Sequence, residues 1–217
     1  MPAYTDVELA AIVDKIPRDC ASLLECSLHR PELRAPLTRA FPATASLFAE
    51  DPEEPNADQA RRLLLERWDP AGAGQTYDAI VCADSLAEVR DHDSVLENLQ
   101  RGLNPGGTLV LTLPNLQYFE VVFMVTEGRW EYTPGAAVAR NFLRFFTPKS
   151  INKTLTAAGY AGIRIYPLRT APEKQFPRDA SRCVQRGRVS IGPLSDSEYM
   201  NYRTEFLLIA ACAPKSA

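Results

Sequence analysis

Glycine is absent from the first 71 residues of this sequence. The chain has 217 residues and 11 glycines, and none of the glycines precedes Gly72. Phosphate-binding loops of the P-loop and dinucleotide types need glycines, because side chains would block the close approach of the backbone to the phosphates. The sequence therefore excludes an ordinary loop of either type near its N-terminus.

Histidine and closely spaced cysteines are also scarce. The chain has only two histidines, His29 and His92, and its five cysteines include no pair with CxxC spacing. A histidine-based triad, a zinc site or a disulfide framework is hard to build from this set. We expect no metal ligands, and we expect reduced, mostly buried thiols, as in a cytoplasmic protein.

Long apolar runs are missing as well. No run approaches the roughly 18–20 residues that are needed to cross a bilayer. The first residues include Asp6, Glu8 and Asp14, and they lack the basic start and apolar centre of a signal peptide. The sequence thus predicts a cytoplasmic protein with no membrane partner.

The overall charge is small but unevenly distributed. The formal net charge is −3, so the molecule is not expected to be a general nucleic-acid binder. Residues 1–99 contain 19 acidic and 9 basic residues, whereas residues 140–190 contain 2 acidic and 11 basic ones. This asymmetry indicates either a face that attracts an anionic partner or a solvated basic surface that offsets the acidic half.

The apolar pattern predicts an alternating α/β chain. A buried strand at 77–83 is followed by an amphipathic helix at 93–103, a turn at 104–107 and a strand at 108–113. This unit predicts a parallel sheet with a right-handed crossover. Further helices are predicted at 5–15, 31–39, 56–68 and 147–159, and further strands at 21–26, 43–49, 163–166 and 205–212.

Several of these segments resemble a known family. Residues 77–86, 95–99 and 103–111 are similar to the fourth strand, the following helix, and the turn and fifth strand of class I S-adenosylmethionine-dependent methyltransferases. Residues 128–133 and 143–147 resemble a subgroup of small bacterial methyltransferases that is often associated with sugar, polysaccharide and natural-product pathways.

The resemblance implies a single α/β domain over residues 1–217 with a Rossmann-like fold. The fold would have a mostly parallel, seven-stranded sheet with helices on both faces and an antiparallel last strand, inserted beside the fifth. Residues 114–146 would form a lid-like insertion, and residues 167–203 a basic insertion between the last two strands. A ligand would lie at the carboxyl ends of the strands, at the switch point of the sheet.

The resemblance also implies S-adenosylmethionine as the cofactor and suggests which residues would contact it. Glu25 matches an acidic residue that often ends the first strand, Ser27 stands in the glycine loop, and Asp84 follows the fourth strand. Glu50 or Asp51 matches the carboxylate that would bind the ribose hydroxyls. Acidic residues also favour strand-to-helix turns, so that match has a second explanation.

The loop after the first strand departs from the family pattern. Where the family has glycines, this chain has Ser27, Leu28 and bulky neighbours, and Pro31 restricts the backbone of Arg30. We therefore expect the cofactor pocket to be narrowed or closed. His29 lies in this loop, either as part of a site or as a surface residue.

The acceptor side departs from the pattern too. The subgroup often has a glutamate–histidine pair after the fourth strand, where this chain has Ala87 and Glu88. It often has an aspartate and a histidine where this chain has Ala139 and Phe142. These replacements remove polar groups that would contact substrate or move a proton, and no catalytic residue is assigned.

Asn115 and Arg144 are the candidate substrate contacts on this side. Arg144 belongs to a frame of aromatic and arginine residues with Trp130, Tyr132 and Phe145. We expect this frame to be a lid that packs on the sheet rather than catalytic machinery.

A second candidate site is basic. Lys174, Arg178, Arg182 and Arg186 are spaced by four, and Arg188 follows them. If the segment is helical from Arg178 onward, its arginines share one face. Such a ridge would bind a phosphate, a carboxylate or an acidic protein partner.

Two functions remain open at this point. The first is methyl transfer from S-adenosylmethionine to a small-molecule or sugar-type acceptor, which the family resemblance implies. The second is a non-catalytic binding or regulatory subunit, paired with an active methyltransferase as a hetero-dimer or with itself, which the lost glycines favour.

Overall fold

The computed structural model describes residues 3–47, 57–70, 74–173, 176 and 182–215. The strands in these ranges are β1 (Leu23–Glu25), β2 (Thr44–Ser46), β3 (Tyr77–Ala83), β4 (Leu103–Pro114), β5 (Ala161–Thr170), β6 (Val184–Arg186), β7 (Val189–Ile191) and β8 (Thr204–Cys212). The helices are α1 (Asp6–Val13), α2 (Arg34–Ala40), α3 (Ala57–Arg67), α4 (His92–Arg101), α5 (Phe119–Thr126), α6 (Pro148–Ala157) and α7 (Asp196–Arg203).

Six strands form one sheet in the order β2-β1-β3-β4-β8-β5. The β1–β2, β1–β3 and β3–β4 pairs are parallel, whereas β8 is antiparallel to both β4 and β5. This arrangement confirms the expected Rossmann-like α/β fold and its antiparallel last strand. Six strands of the expected sheet lie in the described ranges.

The core has two layers, one on each face of this sheet. Leu24, Ile80 and Leu109 belong to the cluster on one face, and their strand neighbours Leu23 and Val81 belong to the cluster on the other. Successive strand residues point to opposite faces, so these central strands are buried on both sides. This burial explains why their sequence is almost continuously apolar.

The β3–α4–β4 unit carries the site at its carboxyl edge. α4 begins at His92 because the Asp91 side chain accepts a hydrogen bond from the Ser94 N–H at 3.1 Å. The helix ends at Arg101, and the chain turns through Gly106, whose φ is +77°. The predicted turn at 104–107 instead lies within β4, which begins at Leu103, and it interrupts the register of β4 with β3 between Leu103 and Thr108.

Residues 184–191 form a hairpin and Arg182, before it, has a φ of +59°, so the prediction of a helical basic ridge is wrong for Arg182 and Arg186. β6 pairs with β7 in an antiparallel ladder, and Gly187 between them has a φ of +58°. The β-branched residues of these strands favour extended backbone. Arg178 and Lys174 lie outside the described residues.

The helices in the described ranges do not include one that is both long and apolar enough to span a lipid bilayer.

Candidate functional site

The switch point of the sheet lies between β1 and β3. β1 has β2 on one side and β3 on the other, so the connections leave it in opposite directions. Ligands of open parallel sheets bind at such a point, in the crevice at the carboxyl ends of the strands. Residues 26–30 after β1 and 84–88 after β3 therefore form the candidate site.

The loop after β1 is held against the end of β3. The Ser27 hydroxyl oxygen accepts a hydrogen bond from the Ala83 N–H at 3.0 Å, and the Leu28 N–H donates to the Ser85 hydroxyl at 2.7 Å. The Leu28 side chain is buried in the core cluster of that face. In this loop, side chains take up the volume that glycine residues would leave free.

A buried ion pair lies at the centre of the site. Arg30 donates to Asp84 Oδ2 through Nε, at 2.8 Å, and through a terminal nitrogen. The Thr112 and Tyr4 hydroxyls donate to the same carboxylate at 2.8 and 2.9 Å. Arg30 is 2% exposed and Asp84 is 1% exposed. Both carboxylate oxygens therefore have donors, and the two charges neutralise each other away from water.

Tyr4 covers this ion pair from the N-terminal segment. The guanidinium carbon of Arg30 lies 4.0 Å from the centroid of the Tyr4 ring, a cation–π contact. The Tyr4 N–H donates to Glu32 Oε1 at 3.1 Å, and the same oxygen lies 3.4 Å from an Arg30 terminal nitrogen. Arg30 thus contacts one ring face and two carboxylates.

The environment keeps both Arg30 and Tyr4 protonated. Burial alone would lower the pKa of Arg30, but the Asp84 charge and the neighbouring Tyr4 and Glu32 raise that pKa above its ordinary value. Burial raises the pKa of Tyr4 well above its ordinary value, and the Asp84 charge raises it further. The Tyr4 hydroxyl therefore remains a hydrogen-bond donor to Asp84.

The backbone of Asp84 is itself in an unusual conformation. Its φ is 59°, in the left-handed region that side chains other than those of asparagine and aspartate rarely enter. This conformation turns the chain immediately after β3, so that the carboxylate faces Arg30. The ion pair and its hydrogen bonds stabilise a strained position.

The predicted contacts Glu25, Ser27 and Asp84 lie at the carboxyl edge of the sheet, and their polar groups already have partners within the protein. Glu25 Oε1 accepts a hydrogen bond from the Ser27 N–H at 2.7 Å, and Glu25 Oε2 accepts one from the Ser46 hydroxyl at 2.8 Å. Asp84 is held by Arg30. Glu50 and Asp51 lie outside the described residues, so the ribose role stays a prediction.

The described residues at the switch point do not fit S-adenosylmethionine. Its methionyl group carries a sulfonium, an ammonium and a carboxylate group, and the resemblance implies a close approach of the loop backbone to that group. In this chain the side chains of Leu28 and Arg30 in that loop are buried, and the Arg30 guanidinium already neutralises Asp84. The Asp84 carboxylate is therefore already paired, and it offers no free charge to a cationic ligand.

His29 is part of the site rather than a plain surface residue. Its Nε2 lies 3.0 Å from Glu88 Oε2, and Arg62 reaches the same oxygen at 3.4 Å. The Glu88 carboxylate is buried, and its other oxygen has no hydrogen-bond partner among the described residues. The His29–Glu88 contact is a second link between the loops after β1 and β3.

Asn115 is fully engaged in structure. Its amide nitrogen donates to the backbone carbonyls of Asn201 and Thr204 at 2.8 and 2.7 Å, and its oxygen accepts from the Gln117 N–H at 2.9 Å. The residue is completely buried. Asn115 therefore joins the end of β4 to the α7–β8 junction, and its substrate role stays a prediction.

The aromatic frame is half-open to solvent. Trp130 and Tyr132 are each 44% exposed, and Leu143 is 38% exposed. Arg140 lies over the Tyr132 ring, and Arg144 donates to backbone carbonyls, including that of Leu143 at 3.2 Å. Neither arginine has a carboxylate partner among the described residues. We call these five residues the aromatic–arginine surface.

Arg182 and Arg186, the described arginines of the predicted ridge, each pair with a different acidic residue. Arg186 makes a bidentate contact with Glu120 at 2.7 and 2.8 Å. Arg182 donates to Asp196 Oδ1 at 3.0 Å and to the Leu194 carbonyl at 2.9 Å. Their charges are neutralised locally, so an anion would compete with these partners.

The cysteines and acidic residues form no metal centre in the described part of the chain. There the His, Cys, Asp and Glu side chains form no group of three or more that could hold an ion. None of the five cysteines forms a disulfide, and Cys26 and Cys82 are buried. Burial raises the pKa of the Cys26 thiol well above its ordinary value, so this thiol is a packing group.

The sequence reasoning missed the central role of Arg30 and did not find Tyr4 or Thr112. A charged residue at the position of the family's glycine loop is the one signal for Arg30. Tyr4 and Thr112 lie 80 and 28 positions from Asp84. Only the topology of the sheet brings them together.

Comparisons with known proteins agree with this fold. A family model described as a methyltransferase domain matches residues 11–165. The structure resembles an S-adenosylmethionine-dependent methyltransferase of Thermotoga maritima, described as a possible histamine N-methyltransferase, with 15% identity and a TM-score of 0.57 over 95% of this chain and 87% of that one. It also resembles one from Archaeoglobus fulgidus, with 9% identity and a TM-score of 0.58 over 94% and 90%.

A curated relative is far longer than this chain. The sequence is 27% identical over 131 residues to highly reducing polyketide synthase 40 of Fusarium mangiferae. That match covers 55% of this chain and 5% of the polyketide synthase. Because the family model matches well over half of the chain, this protein belongs to the methyltransferase-domain family.

Proposed function

We propose that this chain is a non-catalytic member of the methyltransferase-domain family, acting as a binding or regulatory subunit. The observation that carries the proposal is the buried Arg30–Asp84 pair at the switch point. In our proposal, a family member that uses the methyl donor needs this position for its cationic ligand, and in this chain the Arg30 guanidinium takes that position.

The residues around the pair support a structural role for the site. Ser27, Leu28 and His29 tie the loop after β1 to the loop after β3, and Tyr4 closes the site from the N-terminal segment. In our proposal these contacts hold the carboxyl edge of the sheet in one fixed conformation without a bound cofactor. A rigid edge suits a protein that presents a surface to a partner.

The aromatic–arginine surface is the binding face that we propose. Tryptophan, tyrosine and arginine dominate the binding energy of protein interfaces, and here Trp130, Tyr132 and Arg140 are exposed. Arg140 and Arg144 favour a partner with an acidic and apolar surface. An active methyltransferase chain with such a surface is the partner that we propose.

Calorimetric titration with S-adenosylmethionine and S-adenosylhomocysteine tests whether the chain binds the methyl donor or its product. We expect no binding heat with millimolar ligand, while an active methyltransferase of the same fold gives a normal isotherm in the same buffer. Binding of either ligand to the wild-type chain in the micromolar range would contradict the proposal.

Methyl transfer to a small-molecule or sugar-type acceptor is the second candidate. It is favoured by the family membership and by Glu25, which keeps its carboxylate at the end of β1. S-adenosylmethionine, if bound, would supply an already activated methyl group, so that positioning alone would provide much of the rate. Its entry would require Arg30 to leave Asp84.

A further inference from the structure

The groups around the Arg30 guanidinium are those of a binding site for an organic cation. Asp84 supplies a buried carboxylate, Tyr4 supplies a ring face at 4.0 Å, and Glu32 supplies a second carboxylate oxygen at 3.4 Å. An aromatic face combined with carboxylates recognises guanidinium, ammonium and similar ions. The site has this composition independently of which residue supplies the cation.

The cation comes from a loop and not from a strand or helix. Arg30 follows the end of β1 by five residues, and its own φ and ψ of −129° and 56° are neither helical nor extended. Of the other members, Tyr4, Asp84 and Thr112 lie on three separate segments, whereas Glu32 follows Arg30 by two residues. The acceptor groups therefore form a receptacle to which the loop adds the charged side chain.

The position of this receptacle is the ligand position of the fold. It lies at the carboxyl ends of β1 and β3, where open parallel sheets bind their ligands. We propose that Tyr4, Glu32, Asp84 and Thr112 form a site for a planar organic monocation, and that the Arg30 side chain is its tethered occupant. This inference rests on the proposed function, because a bound methyl donor and Arg30 would exclude each other.

The Arg30→Ala variant tests the inference, since it removes the tethered cation and leaves the receptacle. Methylguanidinium is the probe, added in the low millimolar range at constant ionic strength, with the melting temperature as the readout. We expect a saturable rise of about 5 °C in the variant and no rise in the wild-type chain. Urea, a neutral molecule of similar shape, should have no effect at the same concentration.

Two further variants give the controls. Arg140→Ala removes an exposed arginine, and it should show no response to methylguanidinium. The double variant Arg30→Ala with Asp84→Asn lacks the carboxylate, so its response should be lost. A response of equal size in the double variant, or no response in the single variant, would overturn the inference.

If Arg30→Ala does not fold by itself, refolding yield in the presence and absence of methylguanidinium replaces the melting temperature. We expect several-fold more folded protein with the probe, and an equal yield would again overturn the inference. The Arg30→Lys variant, which keeps a charge in the site, should fold and should not respond. These readouts do not involve S-adenosylmethionine, so they can fail or succeed independently of the donor titration.

Discussion

Replacing Asp84 by asparagine isolates the contribution of the buried ion pair. The substitution keeps the size of the side chain and removes its charge, which leaves the buried Arg30 guanidinium with only the more distant Glu32 carboxylate, at 3.4 Å, as a counter-ion. Removing one partner of a buried pair costs about 3–5 kcal/mol of folding free energy. In a domain of this size that loss corresponds to a fall in melting temperature of roughly 6–20 °C.

Urea unfolding followed by circular dichroism measures this loss directly, and Glu131→Gln is the matched control. Glu131 pairs with Arg129 at 3.2 Å, but their side chains are 64% and 47% exposed. An exposed pair of this kind contributes about 0–1 kcal/mol. A loss of less than about 1 kcal/mol for Asp84→Asn, equal to that of the control, would refute the assignment of a desolvated, stabilising pair.

Two other predictions follow from contacts away from the switch point. Burial would raise the pKa of Glu8, but hydrogen bonds from Arg169, at 2.7 Å, and from Thr5 lower it below its ordinary value. The stabilising contribution of the Glu8 carboxylate is therefore complete above about pH 4.3, and it is lost as the pH falls through the lower folded pKa. The free energy of unfolding of the Glu8→Gln variant should vary less with pH in that window than that of the wild-type chain. An equal pH dependence in both proteins would contradict this prediction. The double variant Trp130→Ala with Tyr132→Ala should change the free energy of unfolding by no more than about 1 kcal/mol, because both rings are half-exposed. A loss above about 2 kcal/mol, measured by urea unfolding, would instead indicate that these rings belong to a lid that packs on the sheet.

The sequence predicts well those parts of the fold whose signals are local. The strand at Tyr77–Ala83 is continuous and apolar, and it has the predicted bounds. Thr147 and Pro148 predict the start of α6, where the Thr147 hydroxyl accepts a hydrogen bond from the Ser150 N–H at 3.2 Å. Capping and strand patterns are recognisable because they depend on residues that are close in the sequence.

The segment around Arg182 and Arg186 shows how a periodic signal can mislead. A spacing of four predicts a shared helix face only if the segment is helical. Here Gly187 provides a turn with positive φ, and the segment forms a hairpin. In this case backbone preferences outweigh the spacing of the charges.

The position of the candidate site could be predicted from the sequence, but the contacts between its side chains could not. The absence of glycine at residues 26–31 predicts a narrowed pocket, which stays a prediction; the structure shows that the Leu28 and Arg30 side chains of this loop are buried. The partners of Arg30 could not be predicted, because Tyr4 and Asp84 meet only after the sheet has formed. Long-range contacts of this kind leave no periodic trace in the sequence.

A crystal structure of the wild-type chain grown with millimolar S-adenosylhomocysteine tests the central claim most directly. The account predicts that Arg30 remains on Asp84 beneath the Tyr4 ring and that no adenosyl group is bound at the carboxyl ends of β1 and β3. An adenosyl group bound there, with the Arg30 side chain moved away from Asp84, would contradict it.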